Sequence, residues 1–377
     1  MGSEPSAASG RRSEVSEWPR SKFQVSAVRQ RRNFGNRNRD IRPPSKSPVS
    51  KGAVVKADRG ILPRTQSKIN YKEITIMRIL VTDGMDKTAM AQLREMGHEV
   101  VEQFYEPDQL GAALKDFDAV VVRSKTKVRA NHIDEAKTGK LKLIIRGGVG
   151  VDNIDVKYAE SCGITVKNTP RASSQSVAEL AMGHMFSCAR YLSIAGHTMR
   201  EDKWEKKAYG KGIELQGKTL GIVGFGRIGQ HLGVMAKAIG MKVVAFDIFH
   251  IPGIEEQLGI PYVEMDDLLA QADFVSVHAP AVDGGALISA ENIAKMKDGV
   301  VIINTSRGTN VDEAALLAAL ESGKVRAAGL DVYADEPATN KALYSHPMVS
   351  CTPHIGAATV EAQKRIGSEI VEIIKNF

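Results

Sequence analysis

Three polar clusters toward the end of the 377-residue sequence hold a cation, a carboxylate and an imidazole: Asn304-Thr-Ser-Arg-Gly308, Asp331-Val-Tyr-Ala-Asp-Glu-Pro337 and Pro353-His-Ile-Gly-Ala-Ala358. Each follows a predicted strand, where doubly wound folds carry their sites. Singly they have plain readings: Arg307 as a surface cation, Glu336 as a cap before a proline, His354 as a satisfied loop histidine. Together they match what hydride exchange with a 2-hydroxy acid requires. A histidine takes the hydroxyl proton because its pKa lies near working pH. A carboxylate on the other ring nitrogen orients it and stabilises the imidazolium. A planar, permanently charged guanidinium holds the substrate carboxylate and developing carbonyl better than a lysine would. His354, Glu336 and Arg307 are the candidates for these catalytic roles.

Such chemistry needs a hydride carrier, and Thr219-Leu-Gly-Ile-Val-Gly-Phe-Gly-Arg-Ile-Gly229 offers a place for one. An apolar run ends in three glycines spaced G-x-G-x-x-G. Gly224 permits the turn, Gly226 lets a pyrophosphate approach the backbone, and Gly229 lets the next helix pack close. The helix N-terminus then meets the phosphates. A second apolar strand ends at Asp247, about 20 residues beyond the glycines, where a ribose hydroxyl needs an acceptor. That carboxylate selects NAD over NADP, and Ile248-Phe249 follow where a phosphate-binding arginine could stand.

The elements that must position these residues alternate. Ile79–Val81, Val100-Val101, Ala119–Val122, Leu143–Ile145 and Ile164–Val166 read as strands, separated by helical spacing at Thr88–Met96, Pro107–Leu114 and Asn153–Ser161. A polar hinge at Asn168–Ser174 precedes Ser176-Val-Ala-Glu179, read as a capping box opening one long helix to about Met199. That helix is either a dimer-forming arm or a helix packed on its own sheet. Six more strands follow: Leu220–Val223, Val243–Phe246, Phe274–Val277, Val300–Ile303, Ala327–Leu330 and Met348–Ser350. The clearest amphipathic helix among them is Asp312–Ser322, and Ala358–Ile374 is again helical. The expected fold class is α/β. A Rossmann-type doubly wound dinucleotide-binding domain (171–353) is joined to a split α/β substrate-binding domain (77–170 with 354–377).

A composition of 43% hydrophobic and 25% charged residues fits a globular chain. The net charge of +7 is uneven: residues 1–76 carry 17 Lys/Arg against 6 Asp/Glu, leaving residues 77–377 at −4. This basic extension lacks apolar periodicity and is expected to be disordered. It reads as a functionless extension or a misplaced start before Met77, a transit peptide, or a nucleic-acid arm of no sequence specificity. A myristoylation pattern at its start is short enough to arise by chance. Cys162, Cys188 and Cys351 form no metal or disulfide pattern, no metal is expected, and no apolar run spans a membrane. A reducing, cytoplasmic location follows, or an organelle if the extension is a transit signal.

Val121-Val-Arg-Ser-Lys-Thr126, Arg146-Gly-Gly-Val-Gly-Val-Asp-Asn-Ile-Asp155, the glycine motif and the three clusters closely resemble the D-isomer-specific 2-hydroxyacid dehydrogenases. The resemblance covers residues 77–377 and is nearest to the branch that oxidises 3-phosphoglycerate. It implies a flavodoxin-like substrate-binding domain and the catalytic set Arg307, Glu336 and His354. It implies NAD contacts from Val149, Arg227, Ile228, Asp247, His278, Ala279, Pro280, Thr305, Ser306, Arg307, Asp331, His354, Gly356 and Ala357. It implies a phosphorylated 2-hydroxy acid held by Arg123, Ser124, Lys125, Arg146, Gly147 and Gly148. It also implies a homodimer whose Lys206 and Lys207, after Trp204, reach the neighbouring subunit's site; solvated surface lysines are the plain reading of that pair. Neither a membrane nor a specific nucleic acid is an expected partner. Val149 stands where that branch often has a threonine, Ala279 replaces a hydroxyl-bearing or bulkier residue, and Gly284-Gly285 replace a more polar pair. Longer members carry regulatory domains with no counterpart here, so serine feedback through one is not expected. The rival readings are a sister dehydrogenase for an unphosphorylated acid and a non-catalytic NAD-sensing scaffold.

Overall fold

A computed structural model describes residues 75–282 and 284–377. The readings of the basic extension lie outside the described residues.

The first lobe runs β1 (Arg78–Val81), α1 (Lys87–Glu95), β2 (Glu99–Glu102), α2 (Pro107–Leu114), β3 (Ala119–Val122), α3 (Ala130–Ala136), β4 (Leu143–Arg146), α4 (Val156–Ser161) and β5 (Thr165–Asn168). Its five strands are parallel in the order β2-β1-β3-β4-β5, the flavodoxin-like arrangement. Both faces are covered, so β1, β3 and β4 are almost wholly buried, which is why they read as continuous apolar runs rather than alternating ones. α3 escaped the sequence reading because its seven residues, ANHIDEA, carry too little apolar spacing.

Two helices then link the lobes: α5 (Ser174–Arg190) and α6 (Leu192–Arg200). The single helix from Ser176 to Met199 is corrected in two ways. The helix starts earlier, so Ser176 lies inside it and its hydroxyl meets that of Thr359 at 2.8 Å instead of capping. It also breaks at Tyr191, which takes a left-handed φ of 58°.

The second lobe continues with β6 (Thr219–Val223), α7 (Arg227–Ala238), β7 (Lys242–Phe246), α8 (Ile254–Leu258), α9 (Met265–Gln271), β8 (Phe274–Val277), α10 (Ala290–Lys295), β9 (Val300–Asn304), α11 (Glu313–Ser322), β10 (Val325–Leu330), α12 (Lys341–Tyr344), β11 (Val349–Cys351) and α13 (Val360–Asn376). Its six strands are parallel in the order β11-β10-β9-β8-β6-β7. Outside β7 a single parallel bridge, Ala245 to Tyr262, marks where the third strand of a dinucleotide fold runs. Residues 261–263 are too short and too interrupted by Pro261 to register as a strand.

Cores fill both faces of each sheet. α13 returns to the first lobe: Ile366, Ile370 and Ile374 pack with Ile79, Val81, Met90, Leu93 and Val121. Its start is fixed by Thr359, whose hydroxyl accepts from Ala362 N at 3.1 Å. The substrate and dinucleotide divisions expected from the sequence meet in the chain between β5 and α5 and again between β11 and α13.

Candidate active site

The site lies where β9, β10 and β11 end. Asp331, directly after β10 and 1% exposed, organises the turn after β11. Its Oδ1 accepts from Thr352 Oγ1 (2.6 Å) and Ile355 N (2.8 Å), its Oδ2 from Gly356 N (2.8 Å), and its carbonyl from His354 N (2.8 Å). Such bonds hold His354 at a φ of 53°, a left-handed conformation a non-glycine residue adopts only when its surroundings demand it. From there His354 Nδ1 meets Glu336 Oε2 at 2.7 Å. Burial pushes the Glu336 pKa up, but the hydrogen bond and charge of His354, with Tyr333 N and Arg307 helping, outweigh it and leave the group below the ordinary carboxylate value. The pair is a charge-assisted hydrogen bond that leaves Nε2 as the ring's working nitrogen.

Arg307 follows β9, where Asn304 ties the turn: Oδ1 accepts from Ser306 N and Oγ, and Nδ2 donates to Arg307 O. Arg307 Nε donates to Asp152 Oδ2 at 2.8 Å and Nη1 to Ser306 O at 2.6 Å. A cavity of about 390 Å³ collects Arg307, Glu336 and His354 from the second lobe with Ser124, Lys127, Arg129, Arg146, Asp152 and Asn153 from the first.

The glycine-rich loop after β4 works as a bed for guanidinium groups. A Cβ on Gly148 would run into Arg146 Nη1 and one on Gly150 into Arg307 Nη2, whereas one on Gly147 would first meet Ile366 Cγ2 at 3.3 Å, with the Arg123 stem at 3.6 Å. Arg146 is largely buried with Nε unpartnered. Burial pushes its pKa down to about 10, and Arg307 and Arg123 push the same way. An anion in the cavity relieves that repulsion.

The cofactor residues form a separate cradle. Gly224 has a φ of +93°, and a Cβ there would strike the backbone at His278 and Ala279; one on Gly229 would strike Gly224 O. A Cβ on Gly226 would meet nothing within 4 Å, leaving open space at the start of α7 beside exposed Arg227 and half-buried Ile228. Asp247 Oδ2 accepts from Phe225 N at 2.7 Å and Oδ1 from Phe249 N at 3.0 Å, so the acid also ties the glycine turn to the end of β7. His278 keeps Nδ1 unpartnered, and burial pushes its pKa down to about 3, so the ring is neutral. Thr305 Oγ1 is likewise buried without a partner. Two orphaned polar atoms and an open helix end fit a dinucleotide, which would be held by these groups with Asp331, Gly356 and Ala357. Ala279 and Pro280 offer less: both carbonyls already accept from Asn310 Nδ2, at 2.9 and 3.2 Å. Val149 is 38% exposed beside the loop.

Of the six first-lobe residues expected to hold the substrate, Ser124 and Arg146 line the cavity, while Arg123, Gly147, Gly148 and Lys125 do not. The Lys125 ammonium sits 3.7 Å above the Phe104 ring, which holds it by a cation–π contact at a bend in the loop. Lys127, two residues on, lines the cavity, and no partner for it is found among the described residues. The loop is held by Asp83, which accepts from Arg123 N, Thr126 N and Thr126 Oγ1, and by Asn153, which donates to the carbonyls of Arg123 and Thr126. Lys206 and Lys207 are exposed and line no part of the same chain's cavity. Lys127, Arg129, Asp152 and Asn153 are what sequence reasoning missed, although Asp152 and Asn153 lie inside the quoted run from Arg146 to Asp155. All three cysteines are free. Among the described residues no helix is long and apolar enough to cross a membrane.

Residues 182–356 match the family profile described as D-isomer specific 2-hydroxyacid dehydrogenase, NAD binding domain. The chain is 49% identical over 303 residues to a hydroxypyruvate reductase of Thermotoga maritima, covering 79% of this chain and 97% of that protein. It is 44% identical over 302 residues to a D-3-phosphoglycerate dehydrogenase of Methanocaldococcus jannaschii, covering 80% of this chain but 57% of that longer protein. Its fold matches the crystal structure of a D-lactate dehydrogenase from Aquifex aeolicus complexed with NAD and lactic acid, at a TM-score of 0.70 and 30% identity, over 80% of this chain and 95% of that one.

Proposed function

The chain belongs to the D-isomer-specific 2-hydroxyacid dehydrogenases, NAD-dependent oxidoreductases, and within that family we propose that it oxidises 3-phosphoglycerate to 3-phosphohydroxypyruvate, the entry step to L-serine. One observation carries this reading: Lys127, Arg146 and Arg307 on the cavity wall, with Arg123 beside it, outnumber the two carboxylates Asp152 and Glu336, while Arg129 is already paired with Asp155 at 2.9 Å. A lone substrate carboxylate leaves that surplus unmatched, whereas a phosphate at the far end of a three-carbon acid answers it.

In oxidation, His354 Nε2 accepts the hydroxyl proton while Glu336 holds the ring by Nδ1 and stabilises the imidazolium. Arg307 draws the substrate carboxylate and the forming carbonyl toward its free Nη2. NAD, when bound, supplies the hydride acceptor. Reduction runs the same proton path backwards. A homodimer belongs to the proposal: α6 buries none of its residues and exposes Leu192 and Met199, and Trp204 beyond it is 78% exposed.

The test compares kcat/KM for 3-phosphoglycerate with D-glycerate and D-lactate, and for 3-phosphohydroxypyruvate with hydroxypyruvate and glyoxylate. Phosphate recognition through charged hydrogen bonds predicts a preference of roughly 10–100-fold for the phosphorylated acids. Equal or better rates with hydroxypyruvate overturn it in favour of the second reading, a hydroxypyruvate or glyoxylate reductase. The likeness to the Thermotoga protein over almost its whole length favours that reading. The non-catalytic scaffold is the least supported, because the His354–Glu336 pair has no structural need to sit in an open cavity.

A further inference from the structure

We propose that Asp152 is a positioning residue for Arg307: it fixes the rotation of the guanidinium across the cleft, so that only the Nη edge is presented to the substrate. This assignment stands apart from which 2-hydroxy acid is turned over.

Four observations carry it. Arg307 Nε, the one guanidinium nitrogen with a single proton, is consumed by Asp152 Oδ2 at 2.8 Å. Nη1 is partly consumed by Ser306 O at 2.6 Å, which leaves Nη2 with its protons uncommitted. Asp152 lies in the loop after β4 and Arg307 in the loop after β9, so the pair joins two lobes 155 residues apart in sequence and both partners wall the same cavity. Gly150 lies beneath the contact: a Cβ there would run into Arg307 Nη2 and lie 2.7 Å from Asp152 Oδ2.

The Asp152 side chain is 60% exposed, and pairs with so exposed a partner contribute little to stability, so the contact is poorly explained as a fold-holding one. A carboxylate in a cavity that receives an anion also works against binding, which a purely structural residue placed elsewhere would avoid. Both objections disappear if its work is orientation. An arginine side chain has several rotatable bonds, and a guanidinium turned by one of them presents Nε and a different edge to the substrate. With Nε tied, the guanidinium plane is set before substrate arrives. Because the tether comes from the opposite lobe, that alignment is complete only when the lobes stand in this register.

The experiment is a double-mutant cycle on the full chain. Asp152→Ala and Asp152→Asn are each made in the native protein and in an Arg307→Lys background, since lysine has no Nε fork to orient. Rates are measured with whichever of 3-phosphohydroxypyruvate, hydroxypyruvate or glyoxylate the native protein reduces fastest. Asp152→Ala is expected to lower kcat by about 10–100-fold with the KM for NADH and the Tm little changed, the size of loss that follows misorienting a binding group. Asp152→Asn, which keeps a neutral acceptor, is expected to recover most of that loss. In the Arg307→Lys background Asp152→Ala is expected to cost less than twofold. A kcat within twofold of native for Asp152→Ala, or the same fold loss with and without Arg307, overturns the proposal. So does a loss that follows a fall in Tm and is not rescued by asparagine.

Discussion

The two walls of the cleft hold their polar side chains by different means. On the second-lobe wall two buried side chains, Asp331 and Asn304, do it by fixing the turns that carry the working groups. Asp331 takes three donors from the turn after the neighbouring strand, which carries His354, and Asn304 closes the turn that carries Arg307, whose guanidinium is then tied across the cleft by Asp152. On the first-lobe wall distant partners do it: Asp83 and Asn153 clamp the loop from Arg123 to Thr126, and glycines after Arg146 make room for long cations. A wall set by its own turns suits chemistry that must not vary. One built of long side chains over a glycine bed can be altered at single positions without disturbing the proton path, and under the proposed function it is where acid preference is set.

The sharpest way to break this comparison is at the proton path. His354→Ala should lower kcat by roughly 10²–10⁴-fold for every acid tested, the usual worth of a positioned acid–base group. A loss confined to phosphorylated acids would put His354 on the specificity wall instead. A smaller effect is expected across the cleft. Lys127→Ala should raise the KM for a phosphorylated acid by about tenfold, one charged hydrogen bond, while Lys125→Ala, whose cation rests on Phe104, leaves it within twofold. Steady-state kinetics with both variants decide between them, and the reverse order would return the phosphate role to Lys125.

The mildest probe is pH. Because the folded-state pKa of Glu336 is held below its ordinary value of 4.5, the carboxylate and the stability it lends are complete above that value and lost only as pH falls further. The acid limb of the oxidation rate above pH 4.5 should therefore follow a single proton, with none contributed by Glu336. A limb steeper than one proton, measured as kcat/KM against pH, would show Glu336 titrating with it.

The same contrast explains what could be read from the sequence. All eleven strands of the described residues were legible as apolar runs; the inner ones are covered on both faces and need no polar alternation, while β2, β5 and β11, at sheet edges, keep only a short apolar stretch. Arg307, Glu336 and His354 were legible because each stands a few residues after its strand. The direction of Lys125 was not: the side on which its cation points depends on a ring at Phe104 that no local pattern announces. The capping box at Ser176 misled because a serine three residues before a glutamate also occurs within a helix, and here its hydroxyl bonds to a residue 183 positions away. The break at Tyr191 carried no proline or glycine to mark it.

Residues near positions 80 and 370 share one core, and that carries a consequence for synthesis. As the chain leaves the ribosome, β1 to β5 are made before α13, and one side of their sheet is covered only in part, by α1, until the isoleucines of α13 arrive. The later lobe, whose partners lie close together in the chain, has everything it needs first. Until residues near 370 have been made, that hydrophobic surface is incompletely covered, the state in which nascent proteins stick to one another or recruit chaperones.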